Sequence, residues 1–168
     1  MAETFAEYTA RLASYVEDKD PIAMQRETPK LIAEAIAGAS REQLTKRPAT
    51  GKWAVNEIIA HLAEDEITAY WRYRQIIEHN GGTLSSFDQD RWAQWGDYQS
   101  WDAQEGLAFF RMLREKNLAF LSRLTEAEWQ SFAVHAERGR MTVEILARQM
   151  AGHDMNHLLQ IRKLLGKS

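Results

Sequence analysis

The sequence predicts an all-α protein: a four-helix bundle in which a long link crosses over between the second and third bundle helices. Three observations carry that prediction. Only three prolines occur, at 21, 29 and 48, and few stretches alternate apolar and polar residues as a half-buried strand does. Four segments of helical length repeat apolar residues at steps of three or four, the spacing that lines one face of a helix. The second and third of these are separated by about twenty residues without a clear period, too long for a tight turn and suited to a crossover along the bundle.

Residues 4–17 read as a short N-terminal helix that ends before Asp20-Pro21. Residues 22–38 form a second pattern, with Leu31, Ile32, Ala35 and Ile36 on its apolar face and Gly38 as its stop. Pro29 interrupts it, so this helix is expected to begin near Thr28, to bend, or to exist as two pieces. Ser40-Arg41-Glu42-Gln43 matches a capping box and opens a single turn around Leu44. A polar loop from Lys46 to Lys52 leads into a long helix over 54–79. Its buried side is Val55, Ile58, Ile59, Leu62, Ala69, Tyr73 and Ile76, and Asn80-Gly81-Gly82 ends it.

The link from Asn80 to Ser100 is rich in aromatics: Phe87, Trp92, Trp95 and Tyr98. A crossover that covers one end of the bundle is the simpler reading, and a lid or pocket wall the sharper one. The next helix starts near Ser100 or Asp102 and runs to Arg123, with Leu107, Phe110, Leu113, Leu118 and Leu121 inward and Arg114 at the edge of the stripe. Thr125-Glu126-Ala127-Glu128 is a second capping box, 132–140 is extended or looped, and Thr142 caps a last helix over 143–165.

The chain of 168 residues is read as one domain, 1–168, without internal repeats. Its 21 basic and 24 acidic residues give a net charge of −3 and no basic cluster, so nucleic acid is not an expected partner. There is no cysteine, which excludes disulfides, thiolate metal sites and a cysteine nucleophile. The start, MAETFAEYTARLASYVEDKDP, lacks the pattern of a signal peptide, and no segment is apolar for long enough to span a membrane. The expected location is the cytoplasm, with no membrane partner. No glycine-rich phosphate loop, nucleophile elbow, HExxH or paired Glu-x-x-His motif is present.

The chemistry-bearing residues are histidines. His153 and His157 stand four apart, one turn above the other, and belong to the stripe Val143, Leu146, Met150, His153, His157, Ile161, Leu164. Polar rings on a core-facing stripe are costly unless a hydrogen-bond partner or a metal satisfies them. His61 lies between Ile58 and Leu62 on the stripe of the 54–79 helix, and completes a set of three imidazoles converging in a bundle interior. Three protein ligands and an open position is the pattern of a catalytic divalent metal, and imidazole suits zinc, with nickel, iron and manganese also compatible. The alternative is a set of core histidines that hydrogen-bond one another.

Asp65, one turn after His61, is a candidate fourth ligand or outer-shell partner, although in the run Glu64-Asp65-Glu66 a solvated acid is the simpler reading. Arg72 on the same face is a candidate for binding an anionic group of a substrate, or else a surface charge. His79 sits at a helix C-terminus, where a structural role is expected. His135 lies on a loop before the last helix; a place at the pocket mouth is the sharper reading, a surface residue the simpler one.

GKWAVNEIIAHLAEDE, the aromatic link FDQDRWAQW, and GRMTVEILARQMAGHDMNHLLQI together resemble the DinB-like superfamily of four-helix bundles, which includes thiol-dependent transferases of the bacillithiol and mycothiol type. The resemblance runs from about Asp20 to Leu165 in matching order. It implies a divalent metal, commonly zinc or nickel, on His61, His153 and His157, and a homodimer. Relatives often carry Ser after the Trp of the first motif, where this chain has Ala54, which removes a helix-capping side chain but no ligand.

These readings converge on a metal-dependent enzyme acting on a small-molecule substrate. If the activated nucleophile is a low-molecular-weight thiol, the protein is a thiol S-transferase; if it is water, a hydrolase. The rival from another class is a non-catalytic bundle that binds a metal or small ligand.

Overall fold

The computed structural model of the chain describes residues 3–167. In chain order its helices are α1 (Phe5–Ser14), α2 (Pro21–Ile36), α3 (Arg41–Thr45), α4 (Val55–Glu78), α5 (Gln89–Trp95), α6 (Ala103–Leu121), α7 (Glu126–Gln130) and α8 (Val143–Leu164). Most begin where a side chain accepts backbone N–H groups that a helix start leaves without partners. Thr4, Ser40 and Thr125 form capping boxes with Glu7, Gln43 and Glu128, while Asp20, Asp88, Asp102 and Thr142 cap by their own oxygens. At α4 only half of the device survives. Glu57 accepts the Ala54 N–H at 2.8 Å, and Ala54 has no side chain to return the bond.

The long helices α2, α4, α6 and α8 form the bundle, with α4 and α2 on opposite corners and both packed against α6 and α8. Glu66 of α4 meets Asn117 of α6, and Gly106 sits against Ile59, so α4 and α6 run parallel. Gln25 meets Ala147 at one end, and Lys167 beyond α8 reaches Ala35 at the other, so α2 and α8 run parallel too. The connection from α4 to α6 must therefore return along the bundle. It does so through α5 and a 3₁₀ turn at Tyr98–Ser100, where Asn56 Nδ2 donates to the Tyr98, Gln99 and Trp101 carbonyls. The crossover is as the sequence predicts.

Pro29 lies inside an unbroken α2. A proline leaves the carbonyl four residues earlier without its helical donor. That carbonyl, of Gln25, accepts instead from Arg114 Nη1 at 2.9 Å. The helix neither starts late nor divides, because a buried side chain of α6 replaces the missing N–H.

A small three-stranded sheet, not expected from the sequence, joins β1 (Thr83–Leu84), β2 (Phe132–His135) and β3 (Gly139–Thr142) in that order, β1–β2 parallel and β2–β3 antiparallel. Its strands are two to four residues long, too short for an alternation to show in the sequence. Alternation places Ala133 and His135 inward and Val134 outward. His135 is therefore buried, contrary to the surface position expected for it, and its Nδ1 accepts from the Glu137 N–H.

The apolar core is divided into two clusters. One holds Ile32, Ile58, Leu62, Leu107 and Phe110 with Leu158 and Ile161; the other holds Ala69, Tyr73, Ile76 and Leu121 with Leu146 and Met150. Between them runs a layer of buried polar side chains: His61, Glu66, Arg114, Asn117, Asp154 and His157. Among the described residues, no helix is long and apolar enough to cross a membrane.

At Gly152, in this layer, α1 crosses α8. A Cβ there would lie 2.4 Å from the Leu12 carbonyl oxygen and 3.0 Å from its carbon, both backbone atoms that cannot step aside alone. Gly152→Ala is expected to push α1 outward and cost roughly 1–3 kcal/mol, the range for overpacking a tight site. Chemical denaturation would measure it, and a change within about 0.5 kcal/mol would contradict the close approach.

Candidate metal centre

The three histidines expected to converge do so. His61 on α4 and His153 and His157 on α8 turn their Nε2 atoms to one point, with His61–His153 and His157–His153 separations of 3.1 Å. Their ligand-capable atoms all lie within 4.8 Å of one another. Two donors held about 2.0–2.1 Å from one ion at tetrahedral angles stand roughly 3.3–3.4 Å apart, close to what is seen. His61 is 2% and His157 7% exposed. Trp53 packs on His61 at 4.8 Å between ring centroids and backs the site.

The outer atoms of the rings decide which protons they carry. Asp65 Oδ2 lies 3.3 Å from His153 Nδ1, and Gln160 Oε1 lies 3.0 Å from His157 Nδ1. Acceptors at Nδ1 favour the tautomer with its proton there, which leaves Nε2 of both rings as bare lone pairs. Two such lone pairs 3.1 Å apart repel unless a proton or a cation lies between them. An extra proton is disfavoured. Burial first, and neighbouring positive charge after it, push His153 down to about 3, and His157 is likewise held well below the usual imidazole value. Burial pushes His61 down to about 4, against the attraction of Asp65. Neutral, buried and convergent imidazoles fit a divalent cation by donor type and by geometry. His153 Nδ1 has no hydrogen bond of normal length to another group, so Asp65 is its partner at long range rather than a tight one.

A cavity of about 1,020 Å³ opens on one side of the triad. His61 and His153 reach its floor, α4 contributes Asp65, Thr68 and Arg72, α1 contributes Phe5 and Tyr8, and the crossover link and the β2–β3 hairpin contribute Phe87 and Arg138. The link is thus both crossover and pocket wall. His157 does not line the cavity, so the triad presents one face to it.

Behind the triad, on the same helix, Asp154 points the opposite way. It takes Arg114 through both oxygens, at 2.5 and 3.0 Å, and Arg114 also donates to Glu66 at 2.8 Å. Asn117 Nδ2 donates to the other Glu66 oxygen at 2.8 Å. Arg114, expected at the edge of its stripe, is 1% exposed. The two carboxylates beside it hold its guanidinium above the ordinary arginine value despite burial.

The profile of the DinB superfamily matches residues 24–161.

The chain belongs to the DinB superfamily.

Its relatives include proteins provisionally named metal-dependent hydrolases. One from Geobacillus thermodenitrificans is 26% identical over 147 residues, covering 87% of this chain and 83% of the relative. Another, YfiT from Bacillus subtilis, is 24% identical over 160 residues, covering 94% and 90%. The solved structure of YfiT, described as a probable metal-dependent hydrolase with an unusual four-helix bundle topology, superposes with a TM-score of 0.80 at 22% identity over 88% of this chain and 87% of that one. The DinB fold is the one seen here.

Of the residues singled out from sequence, His61, His153 and His157 come together, and Asp65 and Arg72 line the adjoining cavity. Asp65 is not the solvated acid favoured by its neighbours: its side chain is largely covered and faces His153. His79, an exposed C-cap of α4, stays outside the site. Gln160, Arg138 and the Arg114 network were not anticipated. Only Asp154, embedded between the two histidines of α8, offered a signal.

Breaking the buried network should be severe. Arg114→Met leaves Glu66 and Asp154 without a counter-charge and the Gln25 carbonyl without a donor, and is expected to cost about 3–5 kcal/mol. Urea unfolding would measure it. A loss below about 1 kcal/mol would mean that the guanidinium is not what neutralises these carboxylates.

Proposed function

We propose that this DinB-superfamily chain is a metal-dependent enzyme in which His61, His153 and His157 hold one divalent ion, zinc or nickel, with an open position facing the cavity. The observation that carries the reading is the pair of Nε2 atoms of His153 and His157 3.1 Å apart, with the Nε2 of His61 3.1 Å from His153. A divalent ion in such a place supplies a Lewis acid that lowers the pKa of a water or thiol it binds.

The chain's own residues do the rest. Gln160 orients His157 through its Nδ1, and Asp65, facing His153 Nδ1 at 3.3 Å, favours the tautomer that leaves Nε2 free. Trp53 closes the back of His61 and restricts approach to the cavity side. Arg72, on the same wall as Asp65, is placed to hold an anionic group of the substrate. The names of the relatives favour water as nucleophile, hence hydrolysis of a small-molecule substrate. A second reading, transfer of a low-molecular-weight thiol to an electrophile, is supported by the volume of the cavity, about 1,020 Å³, which accommodates a cosubstrate beside the substrate.

Untagged protein loaded with zinc or nickel and then desalted is expected to retain one equivalent by elemental analysis. His61→Ala, His153→Ala and His157→Ala should each reduce retention at least tenfold. The metal-loaded wild type should turn over members of an ester and amide panel or a thiol–electrophile panel, and His61→Ala should not. Sub-stoichiometric metal in the wild type, or full retention in His153→Ala, would overturn the assignment. Metal without turnover on either panel would favour a binding protein.

A further inference from the structure

Three guanidinium groups line the cavity without a carboxylate within ion-pair distance, among the described residues; Arg148 is taken up by the Val16 and Glu17 carbonyls, which leaves Arg72 and Arg138. Arg72 is only 9% exposed. Its hydrogen bond is from Nη2 to the Ser85 carbonyl, at 3.0 Å, and its guanidinium lies 5.4 Å from the centre of the Phe87 ring. Arg138 stands at the hairpin tip between β2 and β3, donates to Gln149 Oε1 at 3.1 Å, and lies 5.7 Å from the Phe5 ring. Several other arginines are matched by carboxylates. Arg114 is matched by Glu66 and Asp154, Arg47 by Glu57, and Arg11 by Glu3.

A buried charge without a counter-charge at contact distance is costly, and Arg72 is the buried member of this pair. Burial lowers the proton affinity of the Arg72 guanidinium; the Asp65 carboxylate opposes this in part, and the charge of Arg138 adds a smaller push downward. The nearby carboxylate Asp65 is turned to His153. The lining holds as many carboxylates as guanidinium groups, but Glu3 pairs with Arg11 and Asp65 faces His153, so the N–H donors of Arg72 and Arg138 are left to match the oxygens of a carboxylate or phosphate.

Geometry adds a length. His61, Asp65, Thr68 and Arg72 follow at steps of four, three and four on one face of α4, so the Cα atoms of His61 and Arg72 are separated by a rise of roughly 16 Å. Helical side chains lean toward the N-terminus, and a long arginine recovers several ångströms of that distance. The guanidinium then stands on the order of 10 Å from the triad.

We propose that Arg72 and Arg138 form a clamp for the anionic end of an elongated substrate, a carboxylate or phosphate at one end and the reacting bond about 10 Å away at the triad. The position of the reacting bond rests on the metal reading above; the clamp does not. Phe87 and Phe5 lie within cation–π range of the Arg72 and Arg138 guanidinium groups respectively.

The test uses metal-free protein, dialysed against chelator, titrated calorimetrically with hexanoate, n-hexyl phosphate and n-hexanol. At least one of the two anions is expected to bind at least tenfold tighter than the alcohol, and to weaken as salt rises. Arg72→Gln and Arg138→Gln should each weaken the anion at least tenfold and leave the alcohol unchanged. Arg138 is exposed at a hairpin tip, so its variant remains informative even if Arg72→Gln unfolds. Tighter hexyl phosphate identifies a phosphate end and tighter hexanoate a carboxylate end; either supports the clamp. Anions that bind no better than hexanol, or Arg138→Gln binding them like the wild type, would overturn it. Anion binding by a wild type that takes up no metal would keep the clamp and remove the metal reading.

Discussion

A layer of polar side chains across the middle of a helical bundle has to be satisfied chiefly from within, by its own members or by a bound ion. In this protein that layer has two halves that share helix α8. On one side Asp154 turns to Arg114, which also takes Glu66 and the carbonyl freed by Pro29. On the other, His153 and His157 turn to His61. The Arg114 network joins α2, α4, α6 and α8 at one level, and so sets the rotation of α8 about its own axis. That rotation aims the histidines. An apolar contact tolerates sliding, whereas a guanidinium held through both oxygens of Asp154 does not. The stability of the layer and the geometry of the candidate centre are in this sense one constraint.

Outside the four-helix frame, the remaining segments build the space in front of the triad. Gly152 lets the backbone of α1 lie directly on α8, bringing Phe5 and Tyr8 to the cavity. The parallel arrangement of α4 and α6 forces a long return connection, and that connection places Phe87 against Arg72. The short sheet ties the start of the link to the hairpin carrying Arg138. Each element of the wall is a consequence of topology. The bundle supplies the donors and the connections supply the pocket.

The frame was legible because caps and apolar periodicity are local signals. Thr142, Ser40 and Thr125 start helices as their side chains dictate, and each bundle helix carries its stripe in consecutive turns. The triad was legible for a related reason: a histidine on such a stripe is out of place without a partner. What escaped reading depends on pairing between distant segments. Arg114 resembled an edge residue because its acceptors come from three other helices. The run Glu64-Asp65-Glu66 resembled a solvated face, yet its members diverge, to the Tyr98 hydroxyl, to His153 and to Arg114. Pro29 looked like a break because its replacement donor lies 89 residues onward relative to Gln25. His135 escaped because a four-residue strand gives no period to read.

The central claim is that three imidazoles, and no carboxylate, hold one divalent ion with a position left open. X-ray absorption spectroscopy of the zinc-loaded protein tests it most directly. The account predicts three imidazole nitrogens at about 2.0–2.1 Å and one further light-atom donor from solvent, a donor that exchanges when a small thiol is added. A first shell with two imidazoles or fewer, or one completed by the Asp65 carboxylate, would contradict it.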